Sequence, residues 1–204
     1  QHAEPPQPAA TADAAPPDPV EPAESAPASL PLEIYESAQR GELQKVVKWV
    51  RKEGPVDVLC STTSKSGQPA AYSLLHAAAA NGHLELVRQL LKQGASVDLP
   101  GSLGGTALMN AALNGHLSIV LVLLQHSANP DLQSKLGTTA LMSAAGGGHE
   151  ACVEALLRAE ANTELLNKYG CTALQYAEGY GHTAIVALIR RQHACLSVGL
   201  GHGL

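Results

Sequence analysis

Large apolar, small apolar and polar residues recur along this chain in fixed columns. Leucine returns at Leu75, Leu108, Leu141 and Leu174, a hydroxyl precedes it at Ser73, Thr106, Thr139 and Thr172, and alanine follows at Ala95, Ala128 and Ala161. The dipeptides Gly82-His83, Gly115-His116, Gly148-His149 and Gly181-His182 keep the same register, with an interval of 33 residues each time. A constant period in this range marks a solenoid, in which each unit buries its apolar face only against its neighbours. The hydroxyl column suits helix N-caps. The apolar residues are mostly Ala, Leu and Val, with no Phe and one Trp, which suits a thin stack of short helices better than a deep globular core. Binding rather than catalysis is the function such an architecture predicts.

The columns also carry a family likeness. Ser73-Leu74-Leu75-His76-Ala77-Ala78 and Thr106-Ala107-Leu108-Met109-Asn110-Ala111-Ala112 resemble the Thr-Pro-Leu-His-x-Ala-Ala opening of ankyrin repeats. The stretch Gly82-His83-Leu84-Glu85-Leu86-Val87-Arg88-Gln89-Leu90-Leu91-Lys92-Gln93-Gly94-Ala95 resembles the family's second helix and the turn after it. The likeness covers residues of about 33–192 and implies an all-α ankyrin-repeat solenoid of about five helix pairs with β-hairpin loops between them. Two departures stand out. The Pro after Thr is Leu or Ala throughout, and the family's His is replaced by Met109, Met142 and Gln175, which puts the Thr-His hydrogen bond in doubt in those repeats.

Spacing divides the chain. Residues 1–30 hold eight prolines and nine alanines and few large apolar side chains, so this arm is expected to be disordered or polyproline II-like when alone. The repeat domain spans 31–192. Residues 33–58 read as a degenerate N-terminal repeat, in which Ser37-Ala38-Gln39-Arg40-Gly41-Glu42-Leu43 matches the Gly-His column but the opening motif is missing; end repeats are expected to be atypical. Gly41 and Gly82 lie 41 residues apart, eight more than the period, and the excess reads as a flexible insertion loop at 59–70. Repeats then follow at 71–101, 102–134, 135–167 and 168–192, with a flexible, Gly-rich tail at 193–204.

Charge narrows the partner class. Glu4, Asp13, Asp18, Glu21 and Glu24 stand in residues 1–30 with no Lys or Arg, so the arm carries the whole formal net charge of −5. A neutral body with an acidic arm is a poor partner for nucleic acid. No apolar run reaches the roughly 18 residues of a membrane span. The arm lacks the Arg-rich character of a transit peptide and the apolar core of a signal peptide. Gln1 in place of Met fits either a removed presequence or a trimmed end, so the expected compartment is cytoplasmic by default and organellar if Gln1 is a processed end.

Candidate chemistry is thin. Cys60, Cys152, Cys171 and Cys195 show neither CxxC nor regular spacing and read as buried free thiols. The His of the Gly-His column sit one per repeat, about 8–10 Å apart, too far to share a metal ion held at about 2 Å; they read as satisfied inter-helix His. His193, Cys195 and His202 in the tail have nothing to fix them around a metal. Gly101-Ser102-Leu103-Gly104-Gly105-Thr106 lacks the Gly-Lys-Ser/Thr ending of a phosphate loop, and His149-Glu150-Ala151-Cys152 lacks the second His of a zinc protease motif. Neither an enzyme nor a cofactor is predicted.

The resemblance implies a binding surface built from the concave face and hairpin tips. Its variable positions fall on Ser102, Leu103 and Gly105, on Lys135, Leu136 and Thr138, and on Lys168, Tyr169 and Cys171. The inner-helix ends add Asn81, Leu113, Asn114, Gly146, Gly147 and Tyr180. Gly146 and Gly147 read either as a weak helix end or as a notch between Leu113 and Tyr180, with Leu103, Leu136 and Tyr169 as an apolar ridge above it. On the other side, Leu117–Leu124 is apolar almost all round, and Leu121 takes the outward column that holds Arg88 and Glu154 elsewhere; it reads as a second contact or as one ordinary exposed Leu. The expected function is a non-catalytic adaptor or scaffold with protein partners. The alternative is a resident accessory or assembly subunit of a large, membrane-associated organellar complex, held by its arm. Ser127 and Glu160 occupy the column where Gly94 closes a helix, and are expected to be strained there.

Overall fold

The computed structural model describes residues 29–52, 54–63 and 69–199. The arm expected to be disordered at 1–30 lies outside them as far as residue 28, as do the centre of the insertion at 64–68 and the final residues 200–204. Five helix pairs follow one another: α1 Leu32–Gln39 with α2 Leu43–Lys52, α3 Leu74–Ala80 with α4 Leu84–Lys92, α5 Ala107–Leu113 with α6 Leu117–Gln125, α7 Ala140–Gly147 with α8 Glu150–Arg158, and α9 Ala173–Gly179 with α10 Thr183–Gly199. The odd-numbered helices stack on one another as an inner layer and the even-numbered ones as an outer layer. The inner helices are short and Ala-rich because they pack closely: Ala78, Ala111, Ala112, Ala144, Ala145 and Ala177 are fully buried. The Leu column fills the space between layers, with Leu75, Leu108 and Leu141 buried.

Each inner helix after α1 opens on the hydroxyl column. Thr106 and Thr139 accept the backbone N–H of Met109 and Met142 at 3.4 and 3.2 Å, so the missing His does not cost the cap. Gln175 does more. Its Oε1 accepts the Thr172 N–H at 2.8 Å while Thr172 Oγ1 accepts the Gln175 N–H, a reciprocal box that takes the place of the family's Thr-His contact.

The Gly-His dipeptide is a junction between repeats. Gly82, Gly115, Gly148 and Gly181 have φ between 72° and 79°, which lets the next N–H, that of His83, His116, His149 and His182, return to Ala78, Ala111, Ala144 and Ala177. Each imidazole then reaches back to the preceding repeat. Its Nε2 meets the carbonyl of Gln39, Ala80, Leu113 and Gly146 in turn, at 2.7, 3.1, 3.0 and 3.3 Å. A helix-end carbonyl that would otherwise lack a partner is satisfied in each case. The ring also lies against the preceding Gly: a Cβ on Gly115 would fall 2.5 Å from His149 Nδ1, and one on Gly41 2.6 Å from His83 Nδ1. At Gly181 nothing lies within 4 Å.

Helices α4, α6 and α8 close on a second left-handed position. Gly94 has φ 86°, and its counterparts Ser127 and Glu160 have φ 63° and 59°. The geometry is held because the next residue must donate back to Leu90, Leu123 and Leu156 while burying its methyl: Ala95, Ala128 and Ala161 are all buried. Beyond this turn Asp57, Asp98 and Asp131 accept the N–H of Ser96, Asn129 and Asn162 in the following repeat, the second at 3.1 Å and the third at 2.7 Å.

Three local features differ from the spacing argument. The insertion is not simply a loop: Cys60–Thr63 (β1) pairs antiparallel with Pro69–Tyr72 (β2), Cys60 opposite Tyr72. Between later repeats the connections are tight turns, and this hairpin is the two-stranded sheet among the described residues. The last helix runs to Gly199, through residues assigned above to a flexible tail, because no Gly or Pro interrupts the chain between Thr183 and Gly199. Cys60 and Cys152 are buried as free thiols, with burial pushing both up from the ordinary thiol range, but Cys171 lies partly exposed at a turn.

Candidate functional site

The tips are three copies of one turn. Gly101 donates to Gly105 O at 2.9 Å and Gly104 to Gly101 O at 2.8 Å; Ser134 and Gly137, then Asn167 and Gly170, repeat both bonds. Successive tips are joined by backbone bonds of 2.9 Å, from Ser102 N to Ala71 O, from Lys135 N to Leu103 O and from Lys168 N to Leu136 O. This ladder turns separate loops into a continuous rail. It also forces the residue at the apex outward: Leu103, Leu136 and Tyr169 are 46%, 53% and 73% exposed. Lys135 and Lys168 flank the apices and are exposed, and Thr138 and Cys171 lie half-buried below them. Ser102 and Gly105 serve the scaffold. Ser102 Oγ accepts the Ala71 N–H at 2.7 Å, and the Gly105 carbonyl receives His76.

At the inner-helix ends, Leu113 and Tyr180 stand 52% and 66% exposed. Asn81 and Asn114 are exposed but spend one amide N–H on their own helix, bonding Ala77 O and Asn110 O at 2.8 Å. Gly146 and Gly147 do not form an open notch between Leu113 and Tyr180. A Cβ on Gly147 would lie 2.8 Å from Leu113 O and 2.7 Å from the His149 ring, and one on Gly146 3.2 Å from the Tyr176 ring. Their missing side chains make room for the neighbouring repeats.

A concave hollow of about 940 Å³ lies nearer the N-terminus. Leu32, Tyr35 and Gln39 of α1, Ser61, Thr62 and Tyr72 of the hairpin, and Asn81, Asn110, Leu113 and Asn114 of the next two repeats line it. Glu36 is its one charged lining residue. Burial pushes the Tyr35 phenol up to about 12, so it stays a neutral hydrogen-bonding group at ordinary pH. Leu32, Tyr35 and Tyr72 escape a reading based on the period, because the first repeat is degenerate and the hairpin falls in the eight residues that break it. The Cys60–Thr63 run of small β-tolerant residues was the available signal.

His76 sits beneath this hollow, 2% exposed. Gly105 O can only accept, so Nε2 donates to it at 2.9 Å; Nδ1 therefore accepts from Ser73 Oγ at 2.8 Å and from the Ser73 N–H at 3.3 Å. Burial holds the imidazole below the usual histidine range. Protonating Nδ1 would abolish the contact with the Ser73 N–H and force the Ser73 hydroxyl to turn from donor to acceptor. The folded form thus binds this proton less readily than the unfolded chain, so His76 contributes stability above the ordinary histidine value of 6.5 and loses it progressively as pH falls below that value. His76→Gln keeps an acceptor for Ser73, as Gln175 does for Thr172. Its melting temperature should fall less between pH 7 and about pH 5 than that of the wild type; parallel pH curves would remove His76 as the cause.

A family model of ankyrin repeats, with three copies, matches residues 34–134 and 109–197. No curated protein matches the chain significantly. Among the described residues no helix is long and apolar enough to cross a membrane. Ankyrin repeats are in general protein–protein interaction modules, and proteins built from them are typically non-catalytic. The matched span reaches all five helix pairs and takes in every Gly-His junction: the chain belongs to the ankyrin-repeat family.

Proposed function

We propose that this chain is a non-catalytic adaptor or scaffold that receives a protein partner along its tips and concave face. One observation carries the reading: the backbone ladder between tips sets Leu103, Leu136 and Tyr169 outward in a row, one per repeat. A single exposed Leu is ordinary, but an aligned apolar row marks a contact surface, and Lys135 and Lys168 beside it fit the polar rim of one. Leu113 and the hydrogen-bonding groups of Tyr35, Asn81 and Asn114 continue it into the hollow, and Tyr180, exposed at the end of α9, belongs to the same reading. Thr138 and Cys171 belong to its rim. Leu121, 43% exposed on the uncharged α6, is a second contact in this reading.

Aromatic anchors dominate such interfaces, so Tyr169→Ala should weaken the partner by about 2 kcal/mol or more, roughly thirtyfold in Kd. Glu85→Ala on the outer face should leave Kd unchanged. Calorimetric titration with the partner recovered from the native source measures both, and equal affinities for the two variants would move the interface elsewhere. Gly147→Arg is unsuited to this purpose, because its side chain would strike Leu113 O and the His149 ring. The same titration separates an adaptor, which dissociates on dilution, from a resident subunit, which stays at fixed stoichiometry.

A further inference from the structure

Two fixed hydrogen-bond donors line the hollow on the concave face, one repeat apart. Asn81 and Asn114 fall in one column of the repeat, at the ends of α3 and α5. Each donates one Nδ2 proton to its own helix, to Ala77 O and Asn110 O at 2.8 Å, which fixes the direction of the carboxamide. The second N–H and the Oδ1 of each amide have no partner among the described residues, and both residues are exposed. The column holds Gly147 and Tyr180 in the later repeats, so the pair is confined to the hollow.

The spacing of this pair selects a backbone. Packed helices lie about 8–10 Å apart, so equivalent groups on the neighbours α3 and α5 recur at about that interval. A β-strand returns to the same face every two residues, about 6.6 Å, and falls out of step. A polyproline II chain returns every three residues, about 9.3 Å, and keeps step. It makes no internal hydrogen bonds, so its carbonyls stand free to accept, and proline brings no N–H of its own. An α-helix offers no free carbonyls except at its last turn.

The rest of the hollow fits the same ligand. Leu32 and Leu113, 55% and 52% exposed, stand on α1 and α5, the two helices that flank α3. Tyr72 of β2 adds a half-buried ring, set 5.8 Å from the His76 ring. Aromatic and aliphatic walls of this kind take proline rings. Glu36, one turn after Leu32 on α1, is the hollow's one charged lining residue. Arg40 stands 3.6 Å from it, but Arg40 Nε is already given to Glu42 at 2.7 Å. The Glu36 carboxylate therefore favours a cation on whatever enters.

We propose that the hollow seats a proline-rich segment of the partner in polyproline II form. Two of its carbonyls, three residues apart, accept from Asn81 and Asn114, and an arginine or lysine of the segment lies against Glu36. The inference rests on the reading that a partner enters the concave face, and it names the chemistry that enters. A preformed ligand and pinned carboxamides both reduce the ordering that binding requires.

The probe is a fluorescein-labelled peptide of about ten residues, proline throughout except for one central arginine. Fluorescence anisotropy on the full chain should give a Kd on the order of 0.1 mM. A glycine–serine peptide with the same arginine should bind about tenfold more weakly, since it must first be ordered. Asn81→Leu and Asn114→Leu should each weaken the proline peptide about threefold to tenfold, one hydrogen bond apiece. Glutamine in place of the peptide's arginine should weaken it about threefold. Glu36→Gln should abolish that difference and bind the glutamine peptide as the wild type does; a folding defect would weaken both peptides.

No saturation by about 1 mM, equal affinity for the glycine–serine peptide, or an arginine preference that survives Glu36→Gln would overturn the inference. So would a chain that self-associates with rising concentration and is made monomeric by the two Asn substitutions, since the hollow would then hold a second copy. The native partner separates this failure from that of the broader reading. If it weakens with Tyr169→Ala but not with Asn81→Leu and Asn114→Leu, the tips bind and the proline segment is wrong. Insensitivity to Tyr169→Ala as well would remove both.

Discussion

Gly115→Ala is expected to lose about 3–5 kcal/mol of stability, whereas Gly181→Ala loses only about 1–2 kcal/mol. The two glycines have almost the same backbone, φ 72° and 75°, so the conformational cost of a side chain is common to both. What differs is the next repeat. At Gly115 the new Cβ would stand 2.5 Å from His149 Nδ1, and the ring must move away. Moving it stretches the His149–Leu113 bond of 3.0 Å and opens the α5–α7 junction. At Gly181 the same Cβ meets nothing within 4 Å. In a solenoid, stability is close to a sum of repeat terms and interface terms, so the difference between the variants isolates one interface. Denaturant unfolding of both chains gives the comparison. Equal losses would mean that the imidazole yields freely and that the junction is held by the helices alone.

The second large effect has the opposite sign. Ser127→Gly and Glu160→Gly should each stabilise by about 1 kcal/mol, because a residue with a Cβ costs about 1–2 kcal/mol in the left-handed region and glycine returns part of the gain as unfolded-state entropy. The sites lie in different repeats and share no partner, so the gains should add. At about 2–4 °C per kcal/mol for a domain of this size, the double variant should melt about 4–8 °C higher. Gly94 supplies the internal reference, with the same turn, the same buried alanine after it, and nothing within 4 Å of a Cβ. A midpoint that stays level or falls would show that contacts of the Ser127 or Glu160 side chain offset the backbone cost.

Much of this was legible from one dimension. A period of 33 specifies which residue meets which, since each repeat touches only its neighbours. The columns therefore determined the helix pairs, the hydroxyl caps, the satisfied histidines and the left-handed pair Ser127 and Glu160, all of them local or nearest-neighbour features. The row Leu103, Leu136 and Tyr169 was legible for the same reason.

Tertiary structure decided whatever depends on space rather than register. Gly146 and Gly147 have the same sequence appearance whether they leave a hollow or accommodate a neighbour, and only the positions of Leu113 O, His149 and Tyr176 assign them to packing. The hollow itself forms where the period is broken. An inserted hairpin brings Tyr72 and Thr62 beside Tyr35 of the degenerate repeat, residues with no column to align them. Arg40 and Lys45 likewise read as ordinary exposed cations in the sequence, and only the structure pairs them with Glu42 and Glu33. Periodicity encodes contacts between equivalent positions; it carries no information on empty volume or on which charges pair.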